Sequence, residues 1–104
     1  MQPLPRLTSA TADVLRTLLD ADGPTWGMVV IKATGRPAGS VYPILERLEG
    51  AGWVVSEWEA ASERSGPRRR LYELTAEGAP AARAAVERMR STARTAPRAA
   101  EATA

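Results

Sequence analysis

Hydrophobic residues recur at helical spacing in four segments of the chain, and polar residues separate these segments. The first lies within residues 9–23, where one face of a 3.6-residue period is apolar. Thr8 or Ser9 can cap its start, and the sequence Asp-Gly-Pro ends it. The predicted inward residues are Val14, Leu15, Leu18 and Leu19.

The second segment, residues 25–35, fits two structures. Its run Met-Val-Val-Ile is rich in β-branched residues and is compatible with a strand. Residues 32–34 continue without alternation, and Gly35 suits the position after a helix end, so a helix capped by Thr25 is favoured. Its predicted inward residues are Trp26, Val29, Val30 and Ala33.

The third segment, GSVYPILERLEGAGW, combines an apolar face with a proline near its front. If Ser40 caps the helix, Pro43 occupies the third position, where a missing N–H costs little. If the helix begins near Pro37, the carbonyl of Gly39 loses its intrahelical partner and needs water or a ligand. Both starts place the first turn outside the core. The predicted inward residues are Val41, Ile44, Leu45 and Leu48.

After Gly52 the pattern changes to two short runs, WVVSEWEA and RRRLYELT, which are typical of strands. A polar loop with a Gly-Pro pair separates them, so they predict an antiparallel hairpin with a long tip. Along the second strand Arg68 and Arg70 share one face, and Arg69 takes the other.

The fourth helical segment follows Thr75, which is a candidate N-cap. Pro80 predicts either a late start or a kink between Gly78 and Pro80. From Pro97 onward nothing apolar remains to be buried, and a disordered tail is expected. The predicted inward residues are Ala82, Ala85, Val86, Met89 and Ala93.

Composition narrows the function. The 104 residues suffice for one domain, and they include no cysteine and no histidine, which excludes disulfides and thiolate metal sites and removes the commonest general base. No catalytic set can be assembled, so neither an enzyme nor a cofactor or metal is expected. The start lacks a secretion signal and no segment is apolar enough to span a membrane, so a cytoplasmic location is expected.

The order helix, helix, helix, hairpin, helix is that of a winged helix-turn-helix. The expected fold class is therefore mainly α with a small two-stranded antiparallel hairpin. In that fold the third helix enters the major groove of DNA, and the hairpin, or wing, reaches the adjacent backbone. The net charge is only +2, but all basic residues except Lys32 are arginine, and three of them stand together at 68–70.

Two separated motifs resemble the PadR family of bacterial transcriptional regulators. The third-helix motif is matched by Gly39, Ser40, Tyr42, Pro43, Leu45, Arg47, Leu48 and Glu49. The wing motif is matched by Gly66, Pro67, Arg68, Arg69, Arg70, Tyr72, Leu74, Thr75 and Gly78. Leu71 and Met28 depart from the family pattern, since tyrosine is usual at both positions. The resemblance covers residues 7 to about 90 and implies a homodimeric repressor that binds a palindromic operator in duplex DNA, in some members under control of a small aromatic effector.

These observations together indicate candidate residues for DNA binding and for dimerisation. The candidate DNA contacts are Arg36, Gly39, Ser40, Tyr42, Pro43, Arg47, Arg64, Arg68, Arg69 and Arg70. The candidate dimer contacts are Leu7, Ala82, Ala85, Val86, Met89 and Ala93. Trp58 is a candidate ligand residue, because it should be more exposed than Trp53, which is expected to cap the core. The expected divisions are an N-terminal tail (1–6), the DNA-binding domain (7–75), a dimerisation helix (76–95) and the disordered tail (96–104).

Each assignment has a purely structural alternative. Tyr42 can pack over the second helix, the arginine run can be a solvated strand edge, and the last helix can pack only on its own domain. A second function also fits, a winged-helix module that binds a protein. It would account for the modest net charge and for the acidic residues near the reading surface, Glu46, Glu49, Glu57 and Glu59.

Overall fold

The computed structural model describes residues 1–4, 6–60, 66 and 68–95, with side chains as far as residue 91 in the last helix. Within these residues four helices and three strands follow one another. They are α1 (Ser9–Asp20), β1 (Thr25–Trp26), α2 (Gly27–Thr34), α3 (Ala38–Gly50), β2 (Val54–Trp58), β3 (Arg70–Leu74) and α4 (Gly78–Thr95). The predicted tail at 96–104 lies outside the described residues.

Helix α1 confirms its prediction. Thr8 caps it, because its Oγ1 accepts the N–H of Thr11 at 3.1 Å. Val14, Leu15 and Leu18 are buried, and α1 packs against α2, α3 and α4.

Helix α2 has a different inner face from the predicted one. The buried side is Gly27 and Val30, with half-buried Ile31 and Thr34 one turn on, whereas Val29 and Ala33 are exposed. The prediction was correct for Val30 and wrong for Val29 and Ala33, because a glycine and a threonine occupy the inner row and hydrophobicity alone shifts the apparent stripe by one residue. Gly35 ends the helix in the left-handed conformation (φ 71°), as predicted.

Helix α3 begins after Pro37, so the second of the two predicted starts is correct and Ser40 is not the cap. Pro43 is consequently the sixth residue of the helix and cannot donate to the carbonyl of Gly39. Both residues are exposed, and water can reach that carbonyl. All four predicted inward residues are buried, namely Val41, Ile44, Leu45 and Leu48.

The predicted hairpin is present, and a third strand extends it. The sheet is antiparallel with the order β1-β3-β2. Thr25 pairs with Tyr72 and Trp26 with Leu71, so the residue expected to cap α2 belongs to the sheet. A strand of two residues is too short to produce a periodic signal.

Helix α4 starts late, at Gly78, as Pro80 predicted. Thr75 caps it by accepting the Gly78 N–H at 2.8 Å, and the same hydroxyl donates to the Gly52 carbonyl at 3.0 Å. Position 78 requires glycine, because a Cβ there would lie 2.0 Å from the carbonyl oxygen of Trp53. The start of α4 is therefore fixed against the turn that precedes β2.

The first residues of the chain are attached to the same turn. The Gln2 N–H donates to the Ala51 carbonyl at 2.8 Å, and Trp53 Nε1 donates to the Gln2 carbonyl at 2.7 Å. Trp53 is buried and closes the core behind α3, as predicted. None of the helices in the described part of the chain is long and apolar enough to cross a membrane.

Candidate nucleic-acid interface

The amino-terminal half of α3 is open on its outer side. Gly39, Tyr42, Pro43 and Arg47 are exposed, and Ser40 is half-buried. No atom lies within 4 Å of a Cβ built on Gly39. The first backbone N–H groups of a helix lack intrahelical partners and carry the positive end of its dipole, so this end suits an anion.

Tyr42 packs over the start of the second helix, which is the structural alternative predicted for it, and keeps an exposed side. Its ring lies against the backbone of Gly27 at the start of α2, where an added Cβ would be 2.5 Å from both Cε1 and Oη. The side chain nevertheless keeps an exposed fraction of 38%. Gly27 therefore sets the position of a tyrosine that still faces solvent, a role that the sequence analysis missed.

Arg36 has a partner inside the chain. Its Nε donates to Asp13 Oδ2 at 3.0 Å, and its Nη2 lies 2.9 Å from the same oxygen. The side chain is half-buried, and the pair joins the loop before α3 to α1. Arg36, a predicted DNA contact, is therefore held by an ion pair at the start of α3.

The three adjacent wing arginines have different surroundings. Arg68 is exposed. Arg69 is half-buried and stacks on Trp26, with its Cζ 3.9 Å from the ring centroid. The backbone of Arg69 pairs with Glu59, whose Oε1 also accepts the Arg69 N–H at 3.1 Å. Arg69 thus covers the far side of the sheet from Arg70, as strand alternation predicted, whereas Arg68 lies before the start of β3. Arg64 lies outside the described residues.

Glu49, at the end of α3, joins the helix to the wing. Its Oε2 accepts the Ser56 hydroxyl of β2 and lies 3.9 Å from Arg70 Nη2 of β3. Arg70 in turn lies over the Trp58 ring, 5.2 Å from its centroid. One carboxylate therefore holds two strands at a fixed position relative to α3. In the sequence Glu49 belongs to the third-helix motif and to the acidic residues near the predicted reading surface, and its partners could not be predicted because only the register of the hairpin shows that Ser56 and Arg70 face it.

Tyr72 lies beneath this cluster. Burial raises the pKa of its hydroxyl above the ordinary value, and the nearby Arg70 opposes that shift in part. Glu49, Tyr42 and Glu46 of α3 raise the pKa further. The phenol is neutral at physiological pH and belongs to the core.

The predicted dimer residues fall into two groups. Ala82, Ala85 and Val86 are buried in the core of their own chain, so they contribute little exposed surface. They are small residues, which lets α4 pack closely on α1. Leu7 and Met89 are half-buried, and the side chain of Ala93 is not among those described.

The clefts beside α4 include two of several hundred Å³. One, of about 380 Å³, is lined by Met1, Pro3, Leu4, Leu7, Trp53, Ala81, Ala84, Ala85 and Arg88. The other, of about 600 Å³, is lined by Arg16, Leu19, Asp20, Arg83, Val86, Glu87 and Arg90. Among the described residues no group of three or more acidic side chains could hold a metal ion. The arrangement at α3 and the wing offers hydrogen-bond donors and arginines to a polyanion.

Comparisons with solved structures find the same architecture. A PadR family transcription regulator from a hypervirulent Clostridium difficile aligns with a TM-score of 0.68 at 21% identity, covering 84% of this chain and 93% of that one. The circadian clock associated protein Pex from Anabaena gives 0.64 at 20% identity, with 79% and 75% covered. These two likenesses show the fold.

BpsR of Bordetella bronchiseptica is more similar in sequence. It is 32% identical with a TM-score of 0.63, and the alignment covers 88% of this chain and 63% of BpsR, so the chain spans less than two thirds of that relative. No curated protein matches the chain in sequence. The model of the transcriptional regulator PadR-like family matches residues 17–84, which include α2, α3, the sheet and the start of α4. The chain therefore belongs to the PadR-like family of transcriptional regulators.

Proposed function

We propose that this chain is a sequence-specific repressor that binds a palindromic operator in duplex DNA as a homodimer. The observation that carries the proposal is the exposed amino-terminal half of α3 beside a wing that carries an exposed Arg68 and a half-exposed Arg70. In a winged helix-turn-helix these two surfaces meet the same duplex. Membership of a family of transcriptional regulators supports it.

In this proposal the front of α3 enters the major groove. Gly39 allows the backbone to approach closely, and Ser40 and Tyr42 donate to phosphates or base edges. Arg68 and Arg70 bind phosphates and so add affinity with little sequence preference. A dimer bound over a promoter would exclude RNA polymerase, and such a protein would act in the bacterial cytoplasm.

The homodimer is supported by the two clefts that flank α4. Both contain apolar side chains, Leu4 and Leu7 on one side and Leu19 on the other. A second copy packed along α1 and α4 would cover them. Two copies would place two α3 helices on half-sites about 34 Å apart and would combine their binding energies.

A small aromatic effector is also proposed. The solved structure of BpsR describes regulation of its DNA binding by 6-hydroxynicotinic acid. In this chain the cleft beside Trp53 offers an apolar wall and one cation, Arg88. A ligand there would contact Trp53, which follows the turn after α3.

The second candidate function, a module that binds a protein, rests on the acidic residues near α3. Two of the four have internal partners: Glu49 binds Ser56 and Arg70, and Glu59 accepts the Arg69 N–H. Their charge therefore balances the wing and does not form a surface for a basic partner. This favours the DNA-binding proposal.

A salt titration tests the proposal. The probe is a fluorescein-labelled mixed-sequence duplex of about 30 base pairs, long enough for two half-sites about 34 Å apart. Each neutralised phosphate contributes about −0.9 to the slope of log K against log salt, so two contacts in each of two copies give a slope of roughly −4. A flat dependence, or no binding at low salt, would favour the protein-binding module.

A further inference from the structure

Trp58 is the most exposed large hydrophobic side chain among the described residues, with an exposed fraction of 59%. It is the last residue of β2, at the point where the hairpin leaves the body of the protein. Tryptophan is enriched at interfaces, because its large apolar ring can be buried against a partner.

The register of the hairpin shows which way Trp58 faces. Trp58 pairs with Arg70, and Ser56 pairs with Tyr72. Paired residues share a face of the sheet. Tyr72 is buried beneath α3 and Ser56 binds Glu49 of α3, so Trp58 lies on the face that carries the recognition helix. Val55, equally apolar and 54% exposed, lies on the opposite face.

A cation stands beside the ring. The Arg70 guanidinium is 5.2 Å from the Trp58 centroid, close enough for a cation–π interaction that restrains both side chains. A guanidinium next to a flat apolar surface matches the chemistry of one nucleotide, in which a phosphate adjoins a deoxyribose and a base.

We propose that Trp58 is a DNA-contacting residue of the wing, whose indole lies against the deoxyribose and base edge of the nucleotide whose phosphate binds Arg70. This inference rests on the proposed function, because it places Trp58 on the duplex that α3 enters. Charge complementarity with Arg70, and continuity with the surface formed by α3 and Arg68, select DNA as the occupant.

The same geometry argues against an effector site at Trp58, the assignment expected from the sequence. A ring at the end of an exposed strand presents one flat side to a ligand, whereas small molecules are usually held in concave sites that bury most of their surface. The cleft beside Trp53 has that shape.

Acrylamide quenching of tryptophan fluorescence tests the contact directly. Trp53 is buried and Trp26 is partly covered by Arg69, so Trp58 should dominate quenching in the free protein. In a complex saturated with the mixed-sequence duplex at low salt, the fraction of tryptophan fluorescence that acrylamide quenches should fall to the value of a Trp58→Phe variant. The variant itself should show little change on binding DNA.

Affinity provides the second measurement. Trp58→Ala should weaken binding about fivefold, near the lower end of what stacking on a nucleotide contributes, with an unchanged salt slope because no charge is lost. Trp58→Phe should retain most of the affinity. Val55→Ala, an apolar truncation on the other face of the same strand, is the matched control and should have no effect. Arg70→Ala should instead reduce the slope.

The outcomes separate the inference from the function on which it rests. If the duplex binds with a steep salt dependence but Trp58 stays equally quenchable, or if Trp58→Ala and Val55→Ala are alike, the inference fails and the function stands. If no duplex binds at low salt, both fail. Thermal melting of each variant shows whether a loss of binding reflects a loss of folding.

Discussion

At the scale of single residues, adjacent arginines in the wing have different roles because a strand alternates its faces. Arg68 is exposed, whereas Arg69 stacks on Trp26 and its backbone pairs with Glu59. Alternation in the sequence predicted that Arg69 would point away from its neighbours. Its partner could not be predicted, since Trp26 reaches it only through a strand of two residues.

Substitution of these two arginines should give opposite results. Arg68→Ala should reduce the salt slope by about 0.9 for each copy bound, and change the free energy of unfolding by less than about 0.5 kcal/mol. Arg69→Ala should lower the free energy of unfolding by about 1 kcal/mol, because the cation–π contact is lost. It should change the salt slope less than Arg68→Ala does. Urea denaturation and fluorescence anisotropy measure the two quantities.

Arg69→Lys is the control for charge, because it keeps the cation and loses the planar guanidinium that stacks on the indole. It should reproduce the stability loss of Arg69→Ala and leave the slope unchanged. Equal reductions in slope from Arg68→Ala and Arg69→Ala would show that both arginines bind phosphate, and would refute this division.

At the scale of elements, the junction between β3 and α4 depends on one hydroxyl. Thr75 Oγ1 accepts the Gly78 N–H at 2.8 Å and donates to the Gly52 carbonyl at 3.0 Å. Thr75→Val preserves the shape of the side chain and removes both bonds, so it should lower the free energy of unfolding by about 1–2 kcal/mol. Thr75→Ser keeps the hydroxyl and should cost less than half as much in the same urea titration. A valine variant as stable as the serine variant would mean that the cap contributes little.

The elements that were predicted well are those in which one physical signal dominates. The apolar row of α3 contains four large aliphatic residues, and its burial was predicted correctly. The inner row of α2 contains Gly27 and Thr34, so its burial depends on neighbours, chiefly the ring of Tyr42 that requires a glycine beneath it. Glu49 was missed for a similar reason, because its two partners come from strands whose register the sequence leaves open.

At the scale of the whole molecule, one face of α4 packs into the core, and a cleft lies on each side of the helix. Its small residues pack on α1, which is why alanines expected at a dimer contact are buried within one chain. The sequence could not separate these two uses, since a helix that packs on its own domain and one that packs on a second copy have the same apolar period. Leu7 and Met89, both half-buried, remain available for the proposed dimer contact.

Met89→Glu tests that contact. A carboxylate at a half-buried position between two copies should shift the protein from dimer to monomer in sedimentation equilibrium, because an unpaired charge is costly to bury. Affinity for a duplex with two half-sites should fall at least about tenfold, since the second half-site no longer adds its binding energy, whereas affinity for a duplex of half that length should be unchanged. Val55→Glu adds the same charge to an exposed residue of the sheet that lines neither of the two clefts, and should leave the dimer intact. A wild-type chain that sediments as a monomer at concentrations that saturate the long duplex would show that a single copy binds DNA.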